Sequence, residues 1–207
     1  MSRGRGGLSA GLVLSICVAN AIVVPGAAAK ELAPFRVALE VRWGAGAGSD
    51  AFRDDLSRSL AGTLAANCFA GISTGPPEPT EKGADLAFDV VLSDVVDETR
   101  FDDSIAGTLQ PGEPTKELRR VTYFEVTVDA SLTAREAGVV VHTKHLVARA
   151  SRRPVYVGED PQAMTRAESI DNIVRDLTRA LGCGRGKLTE RIREAMGAAG
   201  KAASGSR

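Results

Sequence analysis

The stretch FRVALEVRWGAGAGSDAFRDDLSRSLAGTLAANC, residues 35–68, carries both periodicities from which a fold can be read. In its first part Phe35, Val37, Leu39, Val41 and Trp43 alternate with Arg36, Ala38, Glu40 and Arg42. Successive strand side chains point to opposite faces, so the alternation predicts a half-buried strand with one dry side. The turn Gly44-Ala45-Gly46-Ala47-Gly48 ends it, and Ser49 or Asp50 can cap the helix that follows. There Phe52, Leu56, Leu60, Leu64 and Cys68 form one apolar stripe, while Arg53, Asp54, Ser57 and Arg58 face water.

Downstream, Gly71 to Gly83 contains Pro76, Pro77 and Pro79 and reads as a loop by its turn chemistry. Leu86, Phe88, Val90 and Leu92 make a second strand ending near Val96. Asp97 to Glu117 is a polar segment with Pro111-Gly112 and Pro114, too long for an ordinary hairpin, and loops of that length are usually functional or mobile. In a third strand Phe124, Val126, Val128, Ala130 and Leu132 share one face, and Tyr123, Glu125, Thr127, Asp129, Ser131 and Thr133 the other. Arg135-Glu136-Ala137-Gly138 turns it into a fourth, from Val139 to about Ala150. Asp160-Pro161 starts a second long helix, with Met164, Ala167, Ile170, Val174, Leu177 and Leu181 as its stripe and Gly182 as its left-handed stop. A shorter helix carries Leu188, Ile192 and Met196.

The expected fold is therefore α+β: a two-layer sandwich whose four-stranded mixed sheet follows βαβββα order, with two long helices on one face and a short C-terminal helix. One domain spans residues 30–198, and the Gly/Ala/Ser/Lys segment 199–207 is expected to be a flexible tail. A right-handed crossover makes the first two strands parallel, and the remaining strands alternate as a meander. Both long helices then start at the same end of the sheet and run the same way.

Residues 1–29 stand apart from that domain. Arg3 and Arg5 with no acid, an apolar run from Leu8 to Val24, and Pro25-Gly26-Ala27-Ala28-Ala29 have the three-part layout of a secretory signal, with cleavage expected after Ala29. Two alternatives are an uncleaved anchor, since about 17 apolar residues sit at the lower limit of a bilayer span, and lipidation of Cys17 within Leu14-Ser15-Ile16-Cys17. Ile16 stands where a lipobox normally holds a small residue. The expected location is the bacterial periplasm, with an outer-membrane lipoprotein as the alternative. Cleavage leaves two cysteines, Cys68 and Cys183, and an oxidising compartment favours joining them. Each lies at or just past a helix end, and the parallel helices bring both to one end of the sheet, so a Cys68–Cys183 disulfide is expected.

Composition narrows the function classes. The 207 residues hold 26 basic and 26 acidic side chains, which disfavours a general nucleic-acid binder, and 4% aromatics disfavour a ring-stacking site. With 43% hydrophobic and 25% charged residues, neither global disorder nor a multi-span membrane protein fits. Acids and bases gather at the loop end of the sheet: Asp97, Glu98, Asp102, Asp103, Glu113 and Glu117 beside Arg119, Arg120, Arg149, Arg152 and Arg153. One reading is a charged docking surface that fixes a partner's register. The other is mutual ion pairing across neighbouring strands, worth little per pair.

Tests for chemistry mostly fail. His142 and His145 fall on opposite faces of a strand, which disfavours a shared metal. Asp97, Glu98, Asp102 and Asp103 lack the spacing, central glycine and terminal glutamate of an EF-hand. Gly184-Arg185-Gly186-Lys187 has Leu181 where a phosphate loop needs its first glycine and Leu188 where it needs Ser or Thr. Asp94 falls on the dry face with Leu92 and Val96, as a buried catalytic acid or a carboxylate at the sheet rim. No catalytic residue, metal or cofactor is assigned.

This order of elements, from the Phe35–Trp43 strand through the Ser49–Cys68 helix to the closing helix at Pro161–Leu181, resembles a group of bacterial envelope accessory proteins. They are typified by the lipopolysaccharide-assembly lipoprotein LptE, the penicillin-binding-protein activator LpoB and the N-terminal domain of TolB. The resemblance covers about residues 34 to 183 and is one of layout. It implies a non-enzymatic envelope adaptor that binds a partner protein or a lipid-like ligand, with no site residue carried over. A small secreted enzyme with acids at the loop end is one alternative, and a module binding anionic envelope polymer through Arg149, Arg152 and Arg153 another. Partner identity and oligomeric state stay open.

Overall fold

The computed structural model describes residues 32–44, 48–75, 84–101, 120–154, 158–183 and 187–204. The expected signal segment 1–29, with Cys17, lies outside them, as do Asp102, Asp103, Glu113, Glu117, Arg119, residues 184–186 and the last residues of the tail. The chain runs β1 (Ala33–Trp43), α1 (Asp50–Asn67), β2 (Phe69–Thr74), β3 (Leu86–Phe101), β4 (Arg120–Ala134), β5 (Val139–Arg152), α2 (Pro161–Leu181) and α3 (Lys187–Ser204). The strands form one mixed sheet in the order β2-β1-β3-β4-β5. β1 is parallel to β2 on one side and to β3 on the other, and β3, β4 and β5 form the antiparallel meander expected from the sequence.

Five strands replace the expected four, and the order is βαββββαα. The added strand is β2, whose residues from Gly71 onward read as loop. Its Ala70 and Gly71 are weak strand formers, but Phe69 is fully buried and the ladder to β1 pairs Val37 with Ile72 and Leu39 with Thr74. Tertiary pairing outweighs local propensity there. Consequently α1 connects β1 to β2, and the segment between β2 and β3 returns the chain to the far side of β1.

The core forms between the sheet and the long helices. Phe52, Leu56, Leu60 and Leu64 of α1 and Ile170, Ile173, Val174, Leu177 and Leu181 of α2 meet Val37, Leu39, Phe88, Val90, Leu92, Val126, Val128 and Leu132 in one buried cluster. Ser49 caps α1 by accepting from the Phe52 amide, and Asp160 caps α2 by accepting from the amides of Gln162 and Ala163. The α2 stripe differs from the expected one at its start: Ala167 is exposed, and Thr165 and Ser169 are buried instead. Thr165 hides its polarity by donating its hydroxyl hydrogen to the Pro161 carbonyl. Gly48 is needed for space, because a Cβ there would stand 2.0 Å from the Trp43 ring.

At the opposite end the helices converge as expected. Cys68 and Cys183 form a disulfide, Gly182 takes the left-handed φ of 76°, and Arg191 of α3 donates to the Leu181 carbonyl at the end of α2. The C-terminal helix is not short: α3 spans 18 residues, as many as α1, and takes in the start of the expected tail. Its later residues are rich in alanine, the best helix former, which offsets Gly197 and Gly200. Leu188 and Ile192 bury its near face.

Candidate functional site

β3 and β4 run well past the end of β1. The β1–β3 ladder stops at Trp43 opposite Leu92, whereas β3 continues beside β4 until Phe101 pairs with Arg120. The polar segment expected to begin at Asp97 is therefore strand up to Phe101, and Asp97, Glu98 and Arg120 are sheet residues. Both ends of that ladder carry β-branched or aromatic side chains, Val95, Val96, Thr99 and Phe101 against Val121, Thr122 and Tyr123, which outweigh the intervening charges.

A bulge at Asp94 determines what this extension displays. The β3–β4 register shifts between Ser93 and Val96, and Asp94 has a φ of 50°. Aspartate is among the few non-glycine residues that tolerate this region. One extra residue reverses the inside–outside alternation. Before the bulge Leu92 faces the helices. After it Val95 packs on the core, Asp97 faces the helices, and Val96, Glu98 and Arg100 face the uncovered side. Asp94 itself is exposed, which corrects its expected place on the dry face.

The uncovered face is ordered in cross-strand rows: Ser93, Thr127 and Val147; Val96, Glu125 and Arg149; Glu98, Tyr123 and Ser151. Val96, Tyr123 and Val147 expose 41%, 38% and 41% of their surface. An open groove of about 450 Å³ runs along the second and third of these rows, with Glu98, Arg100, Glu125 and Arg149 on its walls and Val147 in the row beside it. Glu98 pairs with Arg100, whose guanidinium lies 5.6 Å from the Tyr123 ring centre. Arg149 Nε donates to Glu125 at 2.6 Å, a bond that raises the arginine pKa further. The groove therefore joins apolar surface to internally neutralised charge.

Among the described residues, the members of the expected charged cluster are split between the two faces. Glu98 and Arg149 belong to this groove. Asp97 sits beneath the sheet, only 18% exposed, where Arg166 Nε donates to it at 2.8 Å and Gln162 Nε2 at 2.9 Å, both from α2. Arg120 lies over the Phe101 ring at 5.7 Å and contributes, with Thr99, Thr122 and the start of α2, to a polar cavity of about 300 Å³. Arg152 pairs in register with Thr122, and Arg153 follows just past the strand. Val96, Arg100, Tyr123, Glu125 and Val147 complete the surface. Tyr123 and Glu125 are legible in the β4 alternation, but Val96 needs the bulge, which Asp94 alone does not announce.

The histidines separate as expected. His145 Nδ1 lies 2.7 Å from Asp129 on the uncovered face. His142 lies on the helix side with Arg191 Nη1 at 3.5 Å. Burial lowers its pKa, and the charges of Arg191 and Lys144 lower it further. Among the described residues no group of His, Cys, Asp and Glu side chains is arranged to hold a metal ion.

No described helix is long and apolar enough to cross a membrane. No family model and no curated protein matches the chain. Among solved structures, it is similar to a minor lipoprotein from Acinetobacter baumannii, at 16% identity and TM-score 0.40, over 72% of this chain and 92% of that one. It is also similar to a Xanthomonas campestris protein of the DUF330 family, at 10% identity and TM-score 0.46, over 81% and 92% of the two chains. A lipoprotein from Neisseria meningitidis, at 10% identity and TM-score 0.38, aligns over 70% of this chain and 99% of its own.

Proposed function

We propose that the protein is an exported, non-catalytic adaptor of a bacterial cell envelope that holds a partner protein on the uncovered face of its sheet. The observation that carries this reading is the grouping of Val96 and Tyr123 in one groove beyond the end of β1, with Val147 in the adjoining row, all three well exposed. Apolar side chains gathered on one face, with charges around them, are the composition of a docking patch. The Glu98–Arg100 and Glu125–Arg149 pairs flanking it supply register more than affinity. Its openness favours a protein over a lipid-like ligand, which is normally enclosed in a concave apolar pocket.

Export rests on the three-part segment at residues 1–29 and agrees with the Cys68–Cys183 bond, since such bonds persist in oxidising compartments. Of the acids on which the enzyme alternative rests, Asp94 is exposed and Asp97 is held by Arg166 and Gln162, which supports the adaptor reading, while Asp102, Asp103, Glu113 and Glu117 lie outside the described residues. For the polymer-binding alternative, Arg149 already has a carboxylate partner in Glu125.

The test is a photo-crosslinking side chain placed at Tyr123 or Val147 in the native host, with Arg175 on the exposed side of α2 as control. Adducts with one partner from the sheet positions and none from Arg175 are expected. Their absence at both sheet positions, or equal yield from Arg175, overturns the reading. Intact mass of the same material should begin at Lys30, and should gain two alkyl groups only after reduction.

A further inference from the structure

Among the described residues the sheet ends at β5, which pairs with β4 alone. An open edge strand offers a row of backbone donors and acceptors to an added strand. Over its 14 residues β5 carries His142, Lys144, His145, Arg149 and Arg152 and no acid. On the uncovered face β4 sets a carboxylate against each basic side chain, Asp129 at His145 and Glu125 at Arg149.

The helix side is different. Lys144, Leu146, Ala148, Ala150 and Arg152 follow one another there, opposite Ala130, Val128, Val126, Phe124 and Thr122 of β4. Two cations bracket three apolar residues, and among the described residues no carboxylate pairs with either cation. Arg191 of α3, close to His142, adds positive charge beyond Lys144. The docking groove reaches this edge through Arg149, Ala150 and Ser151.

Resting on the adaptor reading, we propose that β5 receives an extended acidic segment of the partner as a sixth strand, with carboxylates opposite Lys144 and Arg152 and apolar side chains beside Leu146 and the buried Ala148 and Ala150, extending the covered layer outward. A second copy of this chain does not fit. β5 contains no acid, so no self-pairing register sets opposite charges together, and the antiparallel register centred on Ala148 places Lys144 against Arg152. Like charges directly opposite one another destabilise a strand pair.

The probe is the synthetic peptide Glu-Thr-Val-Thr-Val-Thr-Val-Thr-Glu, whose symmetric pattern serves either strand direction, and its counterpart with lysine at both ends. Each is titrated into the mature, disulfide-bonded protein while amide exchange is followed by NMR. The glutamate peptide is expected to slow exchange of the β5 amides that point away from β4, and the lysine peptide to leave them unchanged. The double variant Lys144→Glu/Arg152→Glu should weaken the glutamate peptide about tenfold and bind the lysine peptide in its place. Its dispersed amide spectrum verifies folding.

Equal response to both peptides, no protection of β5 up to the solubility limit of the glutamate peptide, or dimerisation in place of peptide binding overturns the edge assignment. Crosslinks from Tyr123 that persist in the double variant while β5 stays unprotected also overturn it, and leave the adaptor reading standing. Loss of crosslinks from both sheet positions in the unaltered protein removes both.

Discussion

Single residues decide which way this sheet presents its chemistry. Asp94 is the clearest case: its φ of 50° and the register shift beside it move Asp97 under α2 and Val96 into the open. Strict alternation from Leu92 gives the reverse assignment, so the sequence alone misplaces each of these side chains. A bulge is set by the competing demands of the strands on either side of it, which a single strand does not encode. His142 has a consequence that can be measured. Burial, then Arg191 and Lys144, hold its pKa below the ordinary 6.5 in the folded chain. The unfolded chain therefore binds this proton first as pH falls. Stability contributed through His142 is fully present above about pH 6.5, declines below it, and levels off once the folded ring is protonated. Chemical denaturation across this range should show the decline in the unaltered protein and a shallower one in His142→Gln, with the two curves parallel above pH 6.5. Equal slopes in both proteins would place the acid sensitivity elsewhere.

At the scale of elements, legibility follows how local the stabilising interactions are. Both long helices could be read because their caps and stripes are local, down to Ser49, Asp160 and Gly182. β4 and β5 were legible from alternation and a short turn. β2 was not, because only its pairing with β1 makes a strand of Phe69–Thr74. The ends of β3 and β4 were hidden for a similar reason: Glu98 and Arg100 lie in a ladder that requires Tyr123 and Val121 from across the sheet. The disulfide shows the opposite case, since helix directions inferred from element order already bring Cys68 and Cys183 together. The bond closes a loop with a sequence separation of 115. Restricting the unfolded chain over that length stabilises the fold by about 3–5 kcal/mol, on a chain-entropy account. Cys68→Ser/Cys183→Ser should lose about that much in equilibrium urea denaturation and keep the native far-UV signal at low denaturant. A loss below about 1 kcal/mol would mean that packing of α1 against α2 already confines the chain.

The whole molecule is asymmetric: one face of the sheet lies under two long helices, and the other carries no described helix. On the covered side the alternation of β4 buries Val126 and Val128 completely. On the open side the same kind of residue behaves differently, with Val96 and Val147 each 41% exposed in neighbouring rows. Valines this exposed add little to the core, so they can be changed without unfolding the protein, and the proposed docking surface can be tested through them. The asymmetry gives a prediction that separates the two roles. Val96→Asp/Val147→Asp removes apolar surface that water already reaches, so its denaturation midpoint should correspond to a change within about 1 kcal/mol. The crosslink yield from Tyr123, in the row beside Val96, should nevertheless fall at least tenfold, because a carboxylate buried against a partner without a matching cation is strongly unfavourable. Val128→Asp, placed in the covered layer, should instead unfold the protein outright. If the surface double variant keeps full crosslinking, the apolar patch is not where the partner sits, and attention moves to the polar cavity lined by Thr99, Arg120 and Thr122. If it loses crosslinking and stability together, these valines belong to the fold, and the open face loses its claim as a docking surface.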